Sequence, residues 1–126
     1  MNTKITPGLK GMQEMTVTES DTASHYGSGL VDVFATPAMV AFMETTSMQS
    51  VAELLPENAI TVGTAVNIRH LRASPVGHKL RCESQVTEST GRKIEFEVLV
   101  FDDGILVGHG SHTRYIVDKD EFLKQI

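Results

Sequence analysis

Thr36-Pro37-Ala38-Met39-Val40-Ala41-Phe42-Met43-Glu44 is the segment with the strongest helix signals in the chain. A threonine hydroxyl can accept from a free N–H of a first helical turn, so Thr36 is expected as the N-cap. Proline at the next position needs no N–H there and has its φ already set for a helix. The helix is expected to run on to Leu54-Leu55 and to stop before Pro56. Its first two turns are apolar on nearly every side, the pattern of a buried helix. Ala38, Ala41, Ser47 and Ala52 are small enough to let it lie close against a sheet.

On the C-terminal side of this helix the pattern changes to period two. Ile60–Ala73, Lys79–Ser89, Arg92–Asp102 and Ile105–Val117 are four strand-length runs. Turn signals separate them at Ser74-Pro75-Val76-Gly77, Thr90-Gly91 and Asp102-Asp103-Gly104. The last two intervals are short enough for antiparallel hairpins. On the N-terminal side, Met12–Glu19 alternates as a strand, with Met15 and Val17 on one face. Ser20–Asp32 reads as a long surface loop, and the first dozen residues as an irregular lead-in. The order is strand, loop, buried helix, four strands, with one further helical turn or two expected over Asp118–Ile126. One apolar helix covered by a curved antiparallel sheet buries both faces most simply. The prediction is a single α+β domain over residues 1–126.

Composition narrows the function classes. The formal charge is −5 and there is no Trp among seven aromatic residues, which argues against nucleic-acid binding. A single cysteine, Cys82, excludes an internal disulfide and any CxxC motif. The longest apolar run, Pro37–Met43, is too short to span a bilayer. Met1–Met12 has no apolar h-region, so a cytoplasmic chain without a signal peptide is expected.

Glu44 is conspicuous because none of Val40, Ala41, Ser47 and Met48, its neighbours at helical spacing, is basic. A carboxylate on a buried helix needs a distant partner. Glu44 is therefore either a site residue or a member of the helix's one exposed stripe. His70 shares a strand face with Val62, Thr64, Val66 and Ile68 in a regular alternation. It is placed to act as a general base near neutral pH, or to be a core histidine with one hydrogen bond. Gly63 marks either a close backbone approach or a bulge. Thr36 is explained as the cap, yet the start of a helix also attracts developing negative charge. His109 and His112 stand three apart on a strand, on opposite faces, so no metal site is expected from them. Arg69, Arg72, Lys79, Arg81, Arg92 and Lys93 form a local basic cluster, to be read as a phosphate contact or as solvated strand faces.

Val33-Phe34-Ala35-Thr36-Pro37, Met43-Glu44, Val62-Gly63-Thr64-Ala65, Ile68-Arg69-His70 and Gly110-Ser111-His112-Thr113-Arg114 together resemble the fluoroacetyl-CoA thioesterase type of hot-dog protein. The similarity runs from about Met12 to Lys124. The resemblance implies a long central helix wrapped by an antiparallel sheet, a catalytic set of Thr36, Glu44 and His70, and substrate binding by Gly63 and Arg114. It also implies a homodimer, or a dimer of dimers, with the active sites at a subunit interface where Glu44 meets groups of the partner chain. No cofactor or metal is implied beyond the coenzyme A of an acyl-CoA substrate. No nucleic-acid or membrane partner is implied.

Thioester hydrolysis needs a nucleophile, a proton acceptor and donors for the developing oxyanion. Thr36 can attack the carbonyl itself, or it can position a water activated by Glu44 and His70. Arg114 would hold carboxylate or phosphate-type oxygens. The stretch Gly27-Ser28-Gly29-Leu30-Val31-Asp32 has no aromatic residue where fluoroacetate-specific members carry gating phenylalanines. A short or medium acyl group is therefore expected, without selectivity for fluorine. The alternative is a non-catalytic acyl-CoA or acyl-carrier binding module, since hot-dog folds serve several functions.

Overall fold

A computed structural model describes residues 4–126; the first three residues of the lead-in lie outside the described part. Five strands form one antiparallel sheet: β1 (Lys10–Thr16), β2 (Ala59–His70), β3 (Lys79–Thr90), β4 (Lys93–Asp102) and β5 (Ile105–Asp118), in the order β1-β3-β4-β5-β2. The long stretch before the central helix is not one loop. It holds a 3-10 turn (Glu19–Asp21) and a short helix α1 (Ala23–Tyr26) capped by the Thr22 side chain. The central helix α2 (Thr36–Ala52) touches all five strands, and α3 (Lys119–Lys124) ends the chain. No described helix is long and apolar enough to cross a membrane.

The α2 face that includes Ala38, Met39, Phe42, Met43, Thr46, Ser47 and Val51 is buried. It meets Leu80, Cys82, Val86, Ile94, Phe96, Val98 and Val100 from the inner face of the sheet in one continuous core. The opposite face is open: Ala41, Thr45, Met48 and Ala52 are exposed. The all-round apolar start of α2 therefore covers more surface than one chain buries. Of the four small helix residues expected at the sheet, Ala38 and Ser47 are buried while Ala41 and Ala52 lie on the open face, and a strand glycine adds to the close approach. A Cβ on Gly11 would lie 2.5 Å from the Ser50 Cβ and 3.3 Å from the Thr46 carbonyl.

Both expected ends of the central helix move, and β1 and β2 are shifted from the expected Met12–Glu19 and Ile60–Ala73. Ala35, not Thr36, is the N-cap of α2, and no side chain caps it. The backbone on either side is held instead by Phe34 N–H donating to Ser74 O and Ala35 N–H donating to Asp21 O. This releases the Thr36 hydroxyl for another partner. The helix also ends at Ala52, short of Leu54-Leu55.

The second change concerns β2. Its pairing with β5 shifts between Gly63 and Ala65, leaving Thr64 as an extra residue. A bulge of this kind switches the face presented by all residues beyond it. His70 thus lies in line with Val66 and Ile68, opposite His112, Gly110 and Gly108 of β5, and not in line with Val62 or Thr64. Before the bulge it is Thr61 and Gly63 that face inward, and Gly63 pairs with Arg114. The glycine at 63 marks a bulge and a close approach together.

Candidate active site

The first functional group sits where α2 begins and β2 ends. Thr36 Oγ1 and His70 Nδ1 are 2.8 Å apart. The hydroxyl donates to Nδ1 when the ring proton is on Nε2, which makes the ring an acceptor poised to take the threonine proton. His70 Nε2 is buried and has no hydrogen-bond partner among the described residues. Phe34 meets the ring edge to face, with centroids 6.3 Å apart. Burial holds the His70 pKa below the usual 6.5, while the Arg72 backbone pulls the other way. The neutral, base-competent ring is therefore favoured at neutral pH. An open cleft of about 340 Å³ lies against the pair, lined by Ala23, Val33, Phe34, Thr36, His70 and Arg72 among others.

A second group is built around Arg114 on β5. Its Nε donates to Thr61 Oγ1 at 2.8 Å and its Nη2 to the Thr61 carbonyl at 2.9 Å. Nη1 lies 3.1 Å from His112 Nε2 and 3.7 Å from Glu44 Oε2. The guanidinium is 7% exposed and Glu44 is 39% exposed, so the pair presents its carboxylate end to solvent. Glu44 therefore has a partner in its own chain, one that helical spacing cannot reveal because it comes from the sheet. Gly63 explains the approach. A Cβ there would stand 2.5 Å from Glu44 Oε2, 3.1 Å from His112 Cε1 and 3.2 Å from Arg114 Nη1.

The five residues expected from sequence thus form two pieces within one chain. Thr36 meets His70, and Glu44 meets Arg114 over Gly63. Thr36 and Glu44 are eight residues apart on one helix, a rise of about 12 Å. The structure adds His112 and Thr61 to these five. Period two puts His112 on the same strand face as Arg114, and that signal alone would have linked them.

His112 is 1% exposed. Its Nδ1 lies 2.9 Å from the Ala65 carbonyl, and its ring stacks on Phe96 with centroids 6.1 Å apart. Burial chiefly lowers its pKa; the Ala65 carbonyl raises it, Arg114 lowers it and Glu44 raises it. His109 pairs with Leu99 on the other face, as the spacing predicts. Half of the basic cluster is matched by surface carboxylates: Lys79 to Glu14 at 3.3 Å, Arg81 to Glu83 at 3.0 Å and Lys93 to Glu95 at 3.6 Å. Those three behave as solvated strand faces.

Residues 17–120 match a family described as fluoroacetyl-CoA-specific thioesterase. The fluoroacetyl-CoA thioesterase of Streptantibioticus cattleyicolor is 29% identical over 91 residues, which are 72% of this chain and 66% of that one. The match thus spans just under two thirds of that relative's length. A solved structure of the fluoroacetyl-CoA-specific thioesterase FlK, a mutant in complex with fluoroacetate and CoA, superposes with a TM-score of 0.87 at 25% identity, covering 92% of this chain and 98% of that one. A thioesterase superfamily member from Thermus thermophilus gives 0.89 at 24% identity, over 96% and 90% of the two chains. The architecture is the hot-dog fold.

Proposed function

Because the chain belongs to the fluoroacetyl-CoA-specific thioesterase family, we propose that it hydrolyses the thioester of a short or medium acyl-CoA, with Thr36, Glu44 and His70 as catalytic residues. The observation that carries this reading is the 2.8 Å contact of Thr36 Oγ1 with a His70 ring kept neutral by burial.

The chemistry follows from that pair. The Thr36 hydroxyl passes its proton to His70 Nδ1 as Oγ1 attacks the thioester carbonyl carbon. Negative charge on the carbonyl oxygen is eased by the N-terminus of α2, where Thr36 stands in the first turn. The tetrahedral species breaks its C–S bond, and the imidazolium returns the proton to the leaving sulfur. Water then attacks the acyl-threonine with a general base taking its proton, the acyl carbon–Oγ1 bond breaks, the proton passes on to Oγ1, and the free acid leaves. Glu44 is the base we assign to this second half. No aromatic side chain stands in residues 27–32, and Leu30 and Val31 point to solvent at 99% and 58% exposure. Nothing there selects for a fluorinated acyl group.

Glu44 reaches the threonine only if a second copy brings it there. β2 is a sheet edge, and Thr64, Ala65, Val66 and Asn67 along it are exposed. An unpaired edge of this length is a template for another strand. In a two-fold antiparallel pairing centred between Val66 and Asn67, Gly63 of one copy falls opposite His70 of the other. Glu44, which stands over Gly63, would then approach the second copy's Thr36–His70 pair. The open face of α2 is consistent with such a dimer.

Thiol release from a panel of acyl-CoAs tests the reading, comparing wild type with Glu44→Ala and His70→Ala. Turnover of at least one acyl-CoA, with both variants at least ~100-fold slower, is expected. A wild type that is stabilised by acyl-CoA yet releases no thiol would make the chain a binding module.

A further inference from the structure

We propose that His112 is a positioning residue: its neutral ring holds the Arg114 guanidinium in the plane that meets Glu44, and so fixes the Glu44 carboxylate above Gly63. The catalytic part of this proposal rests on the thioesterase reading above; the hydrogen-bond part does not.

The ring has only one protonation pattern that satisfies its neighbours. Ala65 offers a carbonyl, which only accepts, so Nδ1 at 2.9 Å carries the proton. Nε2 is then a lone pair, and it faces Arg114 Nη1, which only donates, at 3.1 Å. A doubly protonated ring would set N–H against N–H and a second cation against the guanidinium. The bulge at Thr64 lies directly before the Ala65 carbonyl that His112 uses. Arg114 is then pinned at three points, two on Thr61 and one on His112. With so little exposure it has no room to turn elsewhere. Glu44 extends from a helix with no basic neighbour of its own, so the direction of Arg114 decides where its carboxylate rests.

Among the described residues, the charges that act on the ring are those of Arg114 and Glu44. β5 supplies Arg114, α2 supplies Glu44, β4 supplies the uncharged Phe96, and β2 supplies the backbone of Gly63 and Ala65. A histidine kept neutral between an obligate acceptor and an obligate donor fixes the orientation of the group it accepts from. It orients that group by occupying its wrong directions.

Two variants separate positioning from packing. His112→Phe keeps the ring on Phe96 but leaves Arg114 Nη1 without its acceptor. His112→Gln places an amide oxygen near Nε2 and restores it. His112→Phe is expected to lower kcat on the order of 100-fold with KM little changed, because a misplaced catalytic group costs about that much. His112→Gln is expected to recover most of the loss. Combined with Glu44→Gln, His112→Phe should add little further loss, since residues acting as one unit are not additive. Additive losses, an unchanged kcat in His112→Phe, or a folded His112→Gln as slow as Glu44→Gln would overturn the proposal.

Imidazole nitrogen NMR of the wild type gives a readout that needs neither turnover nor a folded variant. A protonated Nδ1 with a bare Nε2 at pH 7 is expected. The opposite tautomer or an imidazolium would overturn the proposal even in an active enzyme. Failure to hydrolyse any acyl-CoA, with the expected tautomer present, would overturn the thioesterase reading and the catalytic role of His112 while leaving the hydrogen-bond assignment standing.

Discussion

Thr36 Oγ1 stands 2.8 Å from His70 Nδ1, joining the first turn of the central helix to the last residue of an edge strand. The capping explanation of Thr36 and the regular strand row expected for His70 both fall away. Thr36 is not the cap of its helix, because Ala35 is, and no side chain fills that role. His70 does not end the row expected from regular alternation, because the bulge at Thr64 changes its face.

Thr36→Ala should therefore separate activity from stability. A capping threonine costs roughly 0.5–2 kcal/mol when truncated. A first-turn residue whose hydroxyl bonds no helix N–H should cost within about 0.5 kcal/mol. Thermal melting is expected to shift little, while kcat for the best acyl-CoA falls by roughly 100- to 10,000-fold. Thr36→Ser should retain a large part of the activity. A large fall in melting temperature with modest kinetic loss would return Thr36 to a structural role.

Gly63→Ala tests the closeness of Glu44 to β2. The added methyl meets Glu44 Oε2 at 2.5 Å, yet that atom is the free end of a flexible side chain. His112 Cε1 and Arg114 Nη1, at 3.1 and 3.2 Å, belong to buried groups that have less room to give. The carboxylate is what moves. The fold should survive, with kcat lowered on the order of 100-fold by the misplaced group. Equal turnover in Gly63→Ala and wild type would show that the position of Glu44 does not matter to the reaction.

The strands, the helix and their order were legible because the sequence states them locally, through period two, turn residues and the Thr36-Pro37 start. The bulge was not, since Gly63 reads equally as a bulge or a close approach until β5 supplies the register. Thr36, Glu44, His70 and Gly63 stand out in the residue pattern and Arg114 only through the family resemblance, while their division into two pieces is a property of distance along α2 and β2. Glu44 showed its need for a partner but not the partner, because Arg114 is seventy residues away in sequence. By sequence spacing His112 reads as half of an unlikely metal pair. Its neighbour two positions on, Arg114, was the more informative companion.

Buried neutral histidines give the pH dependence of stability a definite sign. His70 and His112 both have folded pKa values below their ordinary 6.5, in each case mainly through burial. The unfolded chain thus binds protons at these sites more readily than the folded one. Their contribution is fully present above about pH 6.5 and is lost as pH falls below it toward the folded values. The melting temperature should decline between pH 7.5 and 5.5, and His112→Gln should remove part of that decline. A melting temperature that rises on acidification over this range would contradict the assignment of both rings as neutral.

Cys82 offers a test of the core beneath the site. It lies on the inner face of β3, between Gln13 of β1 and Val100 of β4, and is fully buried. Burial pushes its thiol up to about 11, against a lowering contact from Thr46, while Glu83 adds to the rise. The thiolate is the reactive form, so two barriers act together: little thiolate and no access. A disulfide reagent at pH 8 should find no thiol in the native protein over minutes and one equivalent after denaturation. Reaction in the native state would have to wait for local opening of β3, a central strand with neighbours on both sides. A prompt stoichiometric reaction in native conditions would mean that the packing of α2 on β3 is looser than the buried face of the helix requires.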